Sequence, residues 1–327
     1  MSLKFHLMNI PFEFERFIFS KIPFFRKNRS SSAPFLSGDT FRKISDFIYD
    51  EDNKCSFSEL NSWKVSEIPI VFVSTFLLTE FREKVFEKLS TQIILITHNS
   101  DTNIIETSEF IDLLNDEKLV HWYAQNCLIQ HNKITPLPIG LENRYRHNAG
   151  ALRDYKSKKM QQSKKFPKIL FGFSLHTNPQ KRVPCYLSLA KKDNSVEITN
   201  APNAHIYRKI LCKYMFVASP EGNGLDCHRT WEAMYFNVIP IVERNYMTEF
   251  FSKLNLPIWI IDSFDELTKY TSDELSHKYK DIISKSNKEA LFFDYWEKIL
   301  KTESLREKQY DFCCNSSYGT KISRISF

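Results

Sequence analysis

SPEGNGLDCHRTWEAMYFNVIPIV, residues 219–242, holds two of the chain's seven glycines, Gly222 and Gly224, two positions apart. A strand ends at Ser219–Pro220, the turn Glu221-Gly222-Asn223-Gly224 follows, and Asp226 is placed to cap a helix reaching Asn237. The strand VIPIV, 238–242, comes next. Strand, turn and helix in that order build a parallel sheet, and open α/β sheets bind ligands beyond the carboxyl ends of their strands. A glycine turn leading into free helix N–H groups suits phosphate. Arg229 and Glu232 stand three apart and share a helix face. The guanidinium can pair with a diphosphate, and the carboxylate can accept from ribose hydroxyls. An ordinary turn followed by a solvated Arg–Glu pair is the competing reading. The stretch has neither the GK[ST] of a P-loop nor the third glycine of a dinucleotide fingerprint.

Working outward, the same alternation continues on both sides. KILFGFS (168–174) predicts a strand, followed by a helix around 179–192, a short strand at 195–199, a helix around 203–213 and the strand YMFVAS (214–219). Beyond 242 come a helix near 246–254, the strand PIWII (257–261) and an amphipathic helical tail over 263–302. An earlier run holds the buried strands IPIVFVS (68–74) and IILIT (93–97), with Thr79 as a cap for the helix between them. A third segment, 134–139, carries Pro136 and Pro138 and reads as an edge strand closed by Gly140. Residues 142–167 are polar and basic and read as a connection. Two alternating runs predict an α/β protein of two Rossmann-like domains facing across a cleft. The expected boundaries are an N-terminal segment 1–35, a first domain 36–150, a basic linker 151–167, a second domain 168–302 and a tail 303–327. The tryptophans Trp122, Trp231, Trp259 and Trp296 are expected in the core.

The 219–242 segment resembles the donor-binding signature of exostosin-like glycosyltransferases, which belong to the two-Rossmann-domain class called GT-B. The matching residues are Arg229, Glu232–Ala233 and Ile239–Pro240–Ile241. SGDTFR (37–42), LITHNSD (95–101) and PLPIGLEN (136–143) are similar to bacterial, polysaccharide-type members over shorter spans. The resemblance implies transfer of a sugar, in hexosyltransferase fashion, from a nucleotide-diphosphate donor held by the second domain to an acceptor held by the first. No resident cofactor and no DxD-bound metal are implied. Glu232 would then bond the ribose, Arg229 would neutralise diphosphate charge, and the backbone of Gly222, Asn223 and Gly224 would lie near the sugar-phosphate. In SLHTNPQKR, the loop after 168–174, Thr177, Asn178 and Arg182 stand where such enzymes meet the diphosphate. Asn178 before Pro179 equally describes a capped helix start.

Transfer with inversion needs a general base on the acceptor side. Asp101, with His98 in reserve, lies just past the strand 93–97 and is the expected base. Glu221 and Asp226 are expected at sugar hydroxyls and His228 near a phosphate. The implied partners are a nucleotide-sugar donor and a glycan or lipid-linked acceptor. A fucosyltransferase-like enzyme using a GDP-sugar and a non-catalytic GT-B binding module are the competing readings.

Composition narrows the classes. The 327 residues carry 45 Lys+Arg against 39 Asp+Glu, a net +6. The excess is concentrated in residues 1–30 and 152–168 rather than along a domain face, which argues against a nucleic-acid partner. Seven cysteines show no CxxC pair and no zinc spacing, the pattern of reduced cytoplasmic thiols. No apolar run approaches a membrane span, and Glu13, Glu15 and Arg16 break what would be a signal-peptide core. The Phe-rich stretch IPFEFERFIFSKIPFFRKNR (10–29) fits peripheral contact with the inner face of a membrane. It fits packing on its own domain as well.

Overall fold

The computed structural model describes residues 27–305 apart from 65, 147–149, 191, 200 and 202. The expectations placed on residues 1–26 and on the tail beyond 305 lie outside the described residues. No described helix is long and apolar enough to cross a membrane.

Two parallel five-stranded sheets carry the chain, an arrangement compatible with two Rossmann-like domains. The first contains β1 (Phe47–Tyr49), β2 (Ile70–Ser74), β3 (Ile93–His98), β4 (Leu119–Gln125) and β5 (Ile134–Leu137), side by side in chain order. β5 lies at the edge, where Pro136 removes no central ladder bond. Successive crossovers that step one way place their helices on one face. Accordingly α2 (Phe57–Asn61), α3 (Leu78–Lys84) and α4 (Ser108–Asn115) bury Leu60, Phe81 and Leu113 against Val71, Val73, Leu95 and Trp122. The opposite face, with Phe72, Ile94, Ile96 and Tyr123, is covered by α1 (Gly38–Ile44) and by a helix from the far end of the chain, α11 (Phe293–Ser304). Phe41 of α1 meets Phe293 and Trp296 edge-on, and the Ser304 hydroxyl donates to the Ile68 carbonyl. Thr79 does not cap α3, because a 3₁₀ turn at Thr75–Leu77 feeds the helix and leaves Leu77 at the cap position.

The second sheet contains β6 (Phe166–Phe171), β7 (Ser195–Glu197), β8 (Tyr214–Ala218), β9 (Ile239–Glu243) and β10 (Trp259–Ile261), in the order β10-β9-β8-β6-β7. It is doubly wound. α7 (Ala204–Leu211), α8 (His228–Tyr235) and α9 (Tyr246–Lys253) cover one face, while α6 (Pro179–Leu189) and α10 (Ser272–Lys285) cover the other. The chain leaves β6 toward β7 and returns past it to β8, so the winding reverses between β6 and β8. Doubly wound sheets bind ligands at such a reversal.

The connection is packed rather than solvated. Ala151, Tyr155 and Met160, the last on the short helix α5 (Lys158–Gln161), are buried in a core shared by both halves. The Lys165 ammonium donates to the carbonyls of Cys212 and Phe236. The four tryptophans expected in the core are buried.

Candidate functional site

At the β6/β8 reversal two arginines converge from different elements. Arg182, on the first turns of α6, is 8% exposed; its Nε donates to the Glu221 carbonyl and its Nη1 to the Ser174 carbonyl, both at 3.0 Å. Arg229, on the first turn of α8, donates to the Gly172 carbonyl at 3.0 Å. Both guanidiniums lie over the Phe173 ring, at 5.7 and 5.5 Å. Neither pairs with a carboxylate among the described residues. Burial holds the Arg182 guanidinium below its ordinary pKa. Two cations held by neutral carbonyls at strand ends leave a positive field that an anion can answer.

The loops around them are fixed by side-chain caps. Asn178 caps α6 by accepting from Lys181 N–H, and its amide donates to the Gly222 carbonyl at 3.0 Å. Capping and contact with the turn are thus one arrangement. Thr177 stands half-buried in the same loop. A Cβ on Gly222 would sit 2.9 Å from the Arg182 Nη2, so the bare backbone gives the guanidinium its room. Glu221 accepts from Asn245 and is drawn toward Lys181; burial raises its pKa.

The rest of the turn does something other than the sequence suggests. Asp226 is not the helix cap: α8 begins at His228 with Cys227 in the cap position. Asp226 faces the other half of the molecule, so it is also unavailable to sugar hydroxyls. Its Oδ2 accepts from Ile139 N–H at 2.8 Å and from the Trp231 indole at 2.7 Å, and its Oδ1 from Cys227 N–H. Burial raises its pKa to about 6. Gly224 presses on Asn126, whose amide nitrogen would lie 2.5 Å from a Cβ there, and Asn223 donates to Asp101 at 3.1 Å. Asn223, Gly224 and Asp226 therefore join the two halves, and only the Gly222 end of the turn lies beside the arginines.

Glu232 does not bond Arg229. Its Oε1 accepts from the Tyr155 hydroxyl at 2.6 Å and from Arg208 at 3.1 and 3.2 Å, while its Oε2 takes no bond from a described residue. Arg208 is wholly buried and also reaches Asp154. Nothing in the local sequence flags Tyr155 or Arg208, which approach from the connection and from α7.

A cavity of about 320 Å³ opens where β3, β4 and β5 end. The three segments SGDTFR, LITHNSD and PLPIGLEN meet around it. Asn99 donates to Asp39 and accepts from Asn143, whose Oδ1 accepts from Asp39 N–H. A Cβ on Gly38 would fall 1.7 Å from Asn99 Oδ1, so only glycine admits this interlock. His228 closes the cavity from α8. Its Nδ1 bonds the Gly140 carbonyl at 2.8 Å, and its Nε2 lies 3.6 Å from Glu142 Oε2. His228 thus faces this cavity rather than the arginine pair.

Of the two expected bases, Asp101 is exposed on the cavity rim. His98 is 1% exposed, with Nδ1 accepting from Asn99 N–H and Nε2 against the Pro138 carbonyl. With Nε2 donating and Nδ1 accepting, no lone pair remains to take a proton, which removes His98 as the reserve base. Burial lowers its pKa to about 4. The unfolded chain binds this proton from about pH 6.5, so stability is lost as pH falls from 6.5 toward 4, by about 3 kcal/mol. Denaturant unfolding should show His98→Asn costing less at pH 4.5 than at pH 7. An equal cost at both pH values would show that His98 is not held neutral.

Among the described residues, no group of three or more His, Cys, Asp or Glu side chains could hold a metal ion. No family model matches the chain and no curated protein matches it. Among solved structures it is similar to the UDP-GlcNAc 2-epimerase from Methanocaldococcus jannaschii, with 10% identity over 74% of this chain and 77% of that chain and a TM-score of 0.30, a likeness too loose to speak to activity.

Proposed function

We propose that the chain is a nucleotide-sugar-dependent glycosyltransferase of the exostosin-like GT-B kind, metal-independent and inverting, acting on a glycan or lipid-linked acceptor. The observation that carries this reading is the pair Arg182 and Arg229 at the β6/β8 reversal, bonded to carbonyls and, among the described residues, without a carboxylate partner. A diphosphate lodged between them would gain charge-assisted bonds, and the negative charge it takes on at departure would be stabilised by groups already in place. The unused Oε2 of Glu232, one helical turn from Arg229, is suited to a ribose hydroxyl.

Thermal-shift measurement against UDP-, GDP- and CMP-sugars tests the reading. UDP- or GDP-sugars should raise the melting temperature, and Arg229→Gln should weaken that nucleotide-sugar by about tenfold or more, the worth of one charge-assisted bond. A response confined to GDP-sugars would favour the fucosyltransferase-like variant. A response confined to CMP-sugars, which carry a single phosphate, or no response to any of the three sinks the proposal.

A further inference from the structure

Taking the nucleotide-sugar reading as its basis, with the acceptor, a hydroxyl-bearing glycosyl unit, on the side of the first half, we propose that His228, which closes the 320 Å³ cavity, is the general base. Consecutive residues of α8 serve the two places. His228 lines the cavity, while Arg229 turns to the Gly172 carbonyl beside Arg182. A proton taken at one and negative charge received at the other are thereby one residue apart.

Tautomer and neighbour fit the role. The Gly140 carbonyl can only accept, so Nδ1 carries the proton and Nε2 keeps its lone pair. Glu142 Oε2 stands 3.6 Å from Nε2, close enough to stabilise an imidazolium without occupying the lone pair in a short bond. The ring is half-buried and reachable. His98, by contrast, has both nitrogens committed to backbone groups. Asp101 holds Asn223 from the donor turn, which makes it a latch between the halves.

The cavity itself shows an unmet demand. Gln125 is 1% exposed and lines it; its Nε2 donates to the Ser100 carbonyl, and its Oε1 accepts from no described residue. A buried acceptor of that kind awaits a donor. The neighbouring Asn143, Glu142 and Tyr145 supply further acceptors and donors and an aromatic face, a set that suits a ring of hydroxyls.

In the step that follows, the acceptor hydroxyl gives its proton to His228 Nε2. An oxygen lone pair forms the new bond to the anomeric carbon. The bond from that carbon to the diphosphate oxygen breaks, and its electron pair leaves on the diphosphate between Arg182 and Arg229. The imidazolium beside Glu142 then returns its proton to solvent. The products are one inverted glycoside, one nucleoside diphosphate and one proton.

The experiment measures nucleoside diphosphate release from the donor selected by thermal shift, with water alone and with methyl hexopyranosides as acceptor probes. His228→Asn keeps a donor for the Gly140 carbonyl and removes Nε2. It should leave the donor-induced melting shift unchanged and lower release by about 10²–10⁴-fold, with His228→Gln as the second variant. Added imidazole should restore part of the rate in His228→Ala. Release within tenfold of the parent in His228→Asn or His228→Gln, with the donor still bound, overturns the assignment of the base. So does loss of release in Asp101→Asn when His228→Asn spares it. Failure of every glycoside to raise release above the water rate overturns the acceptor site. Absence of any donor shift in the parent protein instead overturns the donor reading on which both rest.

Discussion

Arg208→Met should destabilise the protein by about 3–5 kcal/mol, because it leaves the Glu232 carboxylate without its cation and removes the buried one from Asp154. Arg208 is wholly buried, donates to Glu232 Oε1 and to Asp154 Oδ2, and lies 4.7 Å over the Tyr155 ring. Asp154 shares its other oxygen with His205 Nδ1 at 2.7 Å. The guanidinium therefore ties the connection between the halves to α7 and α8. Methionine keeps most of the apolar stem and isolates the charge. Adding Glu232→Gln to Arg208→Met should restore at least about 1 kcal/mol, since a neutral amide no longer demands a counter-charge. Urea unfolding of the single and double variants measures both numbers. A single-variant cost under about 1 kcal/mol would show that the carboxylates are satisfied from elsewhere.

The second large effect is expected at Asp226. Its carboxylate collects three N–H groups: Ile139 from the end of the first sheet, Cys227 at the start of α8, and the indole of the fully buried Trp231. Asp226→Ala removes every acceptor at once. Unsatisfied buried donors cost about 1–3 kcal/mol each, so with partial relaxation a loss of about 3–5 kcal/mol is expected. Asp226→Asn should cost less, since one acceptor oxygen survives. A midpoint shift in urea, at unchanged slope, reads the loss. If Asp226→Ala costs no more than Asp226→Asn, the carboxylate is not what joins the two halves at this point.

Both effects concern residues whose importance the sequence only partly discloses. The strands of the second half were legible because Phe216–Ala218 and Ile239–Val242 are unbroken apolar runs between polar turns. β4 was not, because His121, Tyr123 and Gln125 interrupt its pattern; they are tolerated because His121 bonds Thr135 and Gln125 bonds the Ser100 carbonyl. Arg182 and Arg229 could be singled out from their places at helix starts after strands. The role of Asp226 could not: its spacing before α8 is that of a cap, and only the fold brings Ile139 to it from 87 residues away. The cavity of the first half is likewise assembled from segments near residues 38, 99 and 143. No local pattern announces such a meeting.

The return of α11 to the first sheet bears on how the protein is made. A ribosome releases the strands of the first half long before it releases the helix that covers one of their faces. At about 5–20 residues per second, the 167 residues between Leu137 and Ser304 take roughly 10–30 seconds to synthesise. During that interval Phe72, Ile94, Ile96 and Tyr123 share a core with Phe41 of α1 but lack Phe293, Trp296 and Leu300 of α11. The first half is thus early in synthesis and late in completion. A fragment ending before residue 293 should carry a sticky apolar face into solution, and a stalled or truncated chain should be a client for chaperones.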